Sequence, residues 1–191
     1  MTDKGNQRRQ FILDTTLTLV AEEGLKNATI AMISKRAQLS PGIIYYYFES
    51  KDEILHQIYA DIEHNFIAAA RQGDPFSQPI MECYQTFWLN FYRYGAAHPE
   101  HIAFVEQYTH STYYKDRITH AREEFLAVLF EKTQESMANG EIMNLPIEAI
   151  YAMIVRPAIE LTKLQQAGVD FLSHCTIEEI AVSVCGALKK G

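Results

Sequence analysis

Long apolar runs are missing from this chain of 191 residues. No stretch reaches the ~18 residues of a membrane span, and the start, MTDKGNQRRQ, leads directly into an amphipathic pattern with no secretory core. A cytoplasmic protein without a membrane partner is therefore expected. Cysteine is scarce: Cys83, Cys175 and Cys185 stand far apart with no Cys-x-x-Cys pair. That spacing excludes a disulfide framework and a zinc ribbon, leaving three ordinary thiols. A Gly-rich phosphate loop, a nucleophile elbow and a His-Glu-x-x-His motif are also lacking, so neither an enzyme nor a cofactor is expected. His98, His101, Glu106 and His110 lie near one another, but Pro99 sets His98 outside the following helix and spoils a shared face. No metal is expected there, and His120 with Glu124 at i+4 reads as a surface pair.

Positive charge is also in short supply, with 17 Lys/Arg against 24 Asp/Glu and a net charge of −7. The deficit is uneven. Residues 1 to 51 carry seven Lys/Arg against five Asp/Glu, whereas the remainder carries ten against nineteen. An acidic body with a mildly basic end is compatible with a nucleic-acid reader held at one face, binding with a modest salt slope. What the chain does have is apolar residues, 48% of the total, enough for a packed globular core.

The chain is organised around residues 30 to 55, IAMISKRAQLSPGIIYYYFESKDEIL. Ile30, Ile33 and Ala37 recur at helical spacing, Gln38-Leu39-Ser40 interrupts, and Ile44 and Phe48 follow at i and i+4. This is a helix-turn-helix pattern. If Ile44 and Phe48 anchor the second helix, the ~100° step per residue turns Tyr45 and Tyr46 outward. Pro41 suits a first helical position, and Gly42 lets a nucleic-acid backbone approach the helix start. Ahead of this unit, residues 8 to 24 read as a helix with an apolar stripe of Phe11, Ile12, Thr15, Leu19 and Val20. Arg8 and Arg9 at its entrance are either a solvated end or phosphate contacts. Thr29 is placed to cap the next helix, and Ser50 with Glu53 reads as a capping box for the one after the reading pair.

The run Thr29-(x)3-Ile33-(x)3-Ala37-Gln38-Leu39-Ser40-x-Gly42-x-Ile44-Tyr45-x-Tyr47-Phe48-x-Ser50-Lys51-(x)3-Leu55 resembles the N-terminal DNA-binding signature of the TetR family of bacterial transcriptional regulators. The closing Tyr-x-Tyr-Phe-x-Ser-Lys makes that resemblance specific. It implies an all-α chain: a three-helix helix-turn-helix domain over residues 1–51 and a helical effector-binding and dimerisation domain over residues 52–191. The implied partners are a palindromic duplex operator, a second copy of the chain and a small effector, with an all-helical enzyme carrying a DNA-binding head and a constitutive architectural DNA binder as the rival readings. Carried over residue by residue, Thr29, Tyr45 and Lys51 contact phosphate, Pro41, Gly42 and Ile43 sit at the groove, and Tyr46 reads it. Tyr47 either joins the phosphate ligands or packs, being at i+3 from Ile44. Gln38 stands where the family commonly has glycine, and Ile43 where it often has threonine, so contact with a thymine methyl replaces a hydrogen bond.

Beyond Gly73-Asp74-Pro75 the body begins. Residues 80 to 97 carry Tyr84, Phe87, Trp88, Phe91, Tyr92 and Tyr94, which make either a thick core or a pocket that is apolar with a few polar tips. With Glu106, Tyr108, Phe125 and Glu160 they would suit a cationic or aromatic effector, and a neutral lipid-like one would fit the same aromatic wall. Residues 112 to 139 read as a long amphipathic helix with Phe125, Leu126, Leu129 and Phe130 inward. Residues 146 to 167 and 177 to 189 follow, the first interrupted by Pro157 and the second opened by a Thr176/Glu179 capping box. Tyr151, Ile154, Ala158 and Leu161 on one, and Ile177, Ile180, Ala181, Val184 and Leu188 on the other, either pack within one chain or close a four-helix interface between two.

Overall fold

The computed structural model describes residues 3–114 and 120–190, the side chains of residues 120 and 121 excepted. The described chain is all-α: α1 Asp3–Glu23, α2 Ile30–Ala37, α3 Pro41–Tyr47, α4 Lys51–Ala70, α5 Ile80–Ala97, α6 Pro99–Thr109, α7 His120–Ala138, α8 Ile147–Gln166 and α9 Ile177–Gly186. None of these helices is long and apolar enough to cross a membrane. The chain divides into two compact units, one of residues 1–63 with 100–117 and one of residues 64–99 with 118–191. The division falls inside α4 rather than at 51/52, because Ile54, Leu55, Ile58 and Ile62 all bury their side chains in the first unit's core.

In that first unit, Ile12, Leu13, Leu19 and Val20 of α1 meet Ile33 of α2, Ile44 of α3 and Phe48 around a single core. α1 begins at Asp3, five residues earlier than its apolar stripe indicates, and Phe11 is half exposed while Leu13 and Thr16 take the inward places. Gly24, at φ +85°, ends the helix. Thr29 accepts a hydrogen bond from the Met32 amide at 3.3 Å, as its capping position requires. The α2–α3 turn passes through Gln38 at φ +54°, a left-handed conformation. It is closed by the buried Ser34 hydroxyl donating to the Leu39 carbonyl. At the start of α4 the Ser50 hydroxyl accepts from the Glu53 amide, but the Glu53 carboxylate accepts from the Glu49 amide at 2.6 Å instead of returning to Ser50. The reciprocal box is thus displaced by one residue.

The second unit is built on α5, which packs along α8 and α9 and beneath the 3-10 turn Pro75–Ser77. Phe66 and Phe91 stack with centroids 4.7 Å apart, and Phe87 and Phe125 meet edge to face at 5.6 Å. Residues 112 to 114 form a turn and α7 begins at His120. The first part of the long helix read from the sequence therefore lies either in that turn or at 115–119, outside the described residues, as does the side chain of the His120–Glu124 pair. On α7 Phe125 is buried, whereas Leu126 and Phe130 are exposed rather than inward. α9 stops at Gly186 because the chain then pairs back: the Met143 amide donates to the Leu188 carbonyl at 2.8 Å, beside an isolated bridge between Ile142 and Lys189.

Candidate nucleic-acid interface

α3 is only seven residues long, and its two faces differ completely. Ile44 is fully buried, while Tyr45 is 54% and Tyr46 77% exposed. Such exposure is unusual for two neighbouring tyrosines, whose rings favour burial. Thr29, Pro41 and Gly42 are exposed on the same unit, and Ile43, Tyr47 and Lys51 are half-buried. Tyr47 braces Tyr46 in an edge-to-face contact with centroids 5.0 Å apart. A Cβ built on Gly42 meets nothing nearer than Ser40 Oγ at 3.9 Å. The fold leaves room there for a side chain that the sequence withholds.

Lys51 is less free than its place at the α4 N-terminus implies. Its ammonium donates to the Leu25 carbonyl at 2.7 Å and lies over the Tyr113 ring at 5.1 Å, and partial burial draws its pKa below the usual lysine value. From the other side, Gln107 Oε1 of α6 accepts from the Leu25 amide at 2.8 Å. The α1–α2 loop is thus clasped at both polar atoms of Leu25. The Leu25 carbonyl takes one of the three ammonium donors of Lys51. The two arginines at the α1 entrance separate in role. Arg9 turns inward, donating to Gln57 Oε1 at 2.9 Å with its guanidinium over the Phe48 ring, while Arg8 stays exposed.

Arg8 lies with two residues that the sequence reading did not single out, Lys4 and Gln7. Lys4, Gln7, Arg8 and Phe11 of α1, with Tyr46 and Tyr47 of α3, line an open concavity of about 800 Å³. The signal was available: Gln7, Arg8 and Phe11 fall at i, i+1 and i+4, which brings Gln7 and Phe11 to one helix face with Arg8 at its edge. Together these groups offer cations, amides and rings on one open surface of the first unit, the chemistry that phosphate and base edges accept.

The aromatic residues proposed to line an effector pocket in the second unit are core. Tyr84, Phe87, Trp88, Phe91, Tyr92 and Phe125 are each at most 6% exposed. Two polar tips are satisfied internally: Tyr84 Oη meets Thr133 Oγ1 at 2.7 Å and Tyr92 Oη donates to Gln165 Oε1 at 2.8 Å. Burial pushes the Tyr84 phenol up to about 12 and the Cys83 and Cys185 thiols to about 11 and 12, so all three stay neutral at physiological pH. Glu106 and Tyr108 do not belong to this set. They lie in the first unit, where Tyr108 packs on Phe104 and Tyr59 while Glu106 is exposed. Glu160 is exposed as well, 3.9 Å from Lys163.

Comparison with known proteins places both units. Residues 12–58 match the family described as bacterial regulatory proteins, tetR family, and residues 79–185, more than half the chain, match the tetracyclin repressor-like C-terminal domain. The chain belongs to the TetR family. A TetR-family transcription regulator from Marinobacter aquaeolei superposes over 100% of both chains with a TM-score of 0.85 at 25% identity. An HTH-type transcriptional regulator of Haemophilus influenzae is 30% identical over 105 residues, covering 55% of this chain and 56% of the relative. The HTH-type regulator BetI of Cronobacter sakazakii is 42% identical over 76 residues, covering 39% and 38%. The chain thus spans about half the length, or less, of the curated relatives it matches.

Within this TetR-family chain the two C-terminal seams resolve into separate faces. Ile154, Ala158, Ala181 and Leu188 are at most 2% exposed in a single chain, packed in its own core. They are therefore not available to a second copy. Leu161, Ile177, Ile180 and Val184 are half-buried at the edge of that core, and Tyr151 and Val182 are each 53% exposed.

Proposed function

We propose that this chain is a DNA-binding transcriptional regulator, acting as a homodimer and as a repressor that leaves its operator when a small apolar effector occupies the second unit. The observation that carries DNA binding is α3 itself, whose buried Ile44 fixes a helix that presents Tyr45 and Tyr46 to solvent beside an unfilled space at Gly42. Two such helices, one per protomer, would enter successive major grooves about 34 Å apart on a palindromic site. An effector acts by preferring a conformation in which that spacing is lost, and a few kcal/mol of preference suffices.

A constitutive architectural binder is the second reading, and the packed aromatic core of the second unit favours it. The two separate in one experiment. Duplexes selected from a random pool by gel shift are challenged with apolar compounds: release supports the repressor, retention under every compound supports the architectural protein, and failure to select any duplex removes both. A cationic effector has little support, since no Asp or Glu is among the described buried residues. In the same assay Tyr46→Phe should weaken binding five- to tenfold, about one hydrogen bond, without changing stability, because the ring is 77% exposed. Lys51→Ala should lower affinity and stability together, since it also releases the Leu25 carbonyl. Unchanged affinity in both variants would take α3 and the α4 start out of the interface.

A further inference from the structure

Tyr84, Trp88 and Tyr92 lie at i, i+4 and i+8 on α5, a single stripe of three rings with polar tips. The outer two are satisfied: Thr133 Oγ1 donates to the Leu129 carbonyl, so it accepts from the Tyr84 hydroxyl, and Tyr92 has Gln165. The middle one is not. Trp88 is 0% exposed, stacked on Tyr92 with centroids 6.0 Å apart, and its indole Nε1 is the one buried side-chain polar atom among the described residues without a hydrogen-bond partner. Leaving such a donor desolvated and unpaired opposes folding, and a tryptophan this deep normally finds an acceptor. Phenylalanine would fill a similar apolar place at no such cost, so the indole N–H is in excess of what packing requires.

The wall against α5 is also unusual. α8 packs along α5 and carries Pro157 in its interior, which offers no N–H to the Met153 carbonyl and interrupts the ladder one turn before the Ala158–Leu161 stretch. Ala158, the residue after it, is fully buried and small. The missing ladder bond and the methyl-sized side chain at Ala158 make local parting of α8 from α5 easier here than along an uninterrupted helix with a larger buried residue.

We propose that Trp88 Nε1–H is the polar anchor of the effector site, and that the effector is an uncharged apolar molecule bearing a carbonyl or equivalent acceptor, admitted between α5 and α8. This rests on the effector-responsive reading above and names the class of compound. The acceptor takes the indole hydrogen bond, and the apolar remainder lies in the core cluster that holds Trp88 and Tyr92. A cation would bring a second donor to a donor, and a pure hydrocarbon would leave the N–H unpaired.

Trp88 is the single tryptophan of the chain, so the uniformly 15N-labelled full-length protein gives one indole cross-peak. The probes are acetophenone, its isostere α-methylstyrene, and 1-phenylethylamine. Without probe the indole proton should resonate upfield, as an unbonded N–H does, and acetophenone alone should move it downfield. Acetophenone should bind about tenfold tighter than α-methylstyrene, the worth of one hydrogen bond, and the ratio should fall to about one in Trp88→Phe, measured by calorimetry. A proton already downfield and unmoved by acetophenone, no binding of acetophenone at its solubility limit, equal affinities in the wild type, or a preference that survives Trp88→Phe each overturns the proposal. Operator gel shifts run alongside keep the two readings apart. A compound that releases DNA without moving the indole proton leaves the regulator intact and removes Trp88 from its site.

Discussion

At Gly42 the fold supplies no reason for the residue. It lies in the first turn of α3 with ordinary helical geometry and open space where a side chain would go, so nothing inside the protein demands a glycine. Gly42→Ala should therefore raise thermal stability, by up to about 1 kcal/mol from helix propensity, while weakening duplex binding at least fivefold. Thermal unfolding and gel shift together check it, and unchanged affinity would place the helix start away from the DNA backbone. Gln38 is the converse. Its φ of +54° is where glycine is at ease and a side chain is strained, so Gln38→Gly should stabilise the protein in urea by about 1 kcal/mol. Because the turn geometry is already set by Ser34 and Leu39, DNA affinity should not change.

At the scale of the element, α9 depends on its first turn. The Thr176 hydroxyl accepts from the Glu179 amide at 3.2 Å, and the Glu179 carboxylate accepts from the Thr176 amide at 2.8 Å. The Thr176 amide foremost, and then the Thr176 hydroxyl, which lies 3.2 Å from the same carboxylate, hold the Glu179 carboxyl below its ordinary value of 4.5. A depressed carboxyl pKa contributes stability that is complete above the unfolded value and is lost as pH falls through the folded one. Stability should therefore decline below about pH 4.5 more gently in Glu179→Gln than in the wild type, as measured by acid titration of the unfolding midpoint. This box could be read from Thr176-x-x-Glu179 alone, because both partners lie within four consecutive residues. The faces of α8 could not. Tyr151 and Ile154 are i and i+3 on one stripe, yet one is 53% and the other 2% exposed. Periodicity gives the direction of an apolar face but not whether it meets its own chain or another. The same limit explains Phe11, counted inward and found outside, and Tyr108, near α5 in sequence but packed with Tyr59 of α4. The Tyr45–Tyr46 pair was legible because its anchors, Ile44 and Phe48, are local.

For the whole molecule the decisive quantity is whether two reading heads act as one. Tyr151 of α8 and Val182 of α9 are the large apolar side chains most exposed on these two helices, on the sides that the chain's own core leaves open. Charging both, as Tyr151→Glu with Val182→Arg, should leave the fold intact and yield a monomer by sedimentation. Ile154→Arg, at a position 2% exposed, should instead unfold the second unit. Linking two weak half-site contacts raises apparent affinity by about 10² to 10⁴, so the folded monomer should bind the full palindrome at least a hundredfold more weakly while a single half-site is bound as before. The half-site control separates the two causes. If the double variant is monomeric and still binds the palindrome at wild-type strength, each α3 suffices alone and the paired-groove mechanism fails. If it remains a dimer, the protomers meet through another surface, and the exposed α7 pair Leu126 and Phe130 becomes the next to charge.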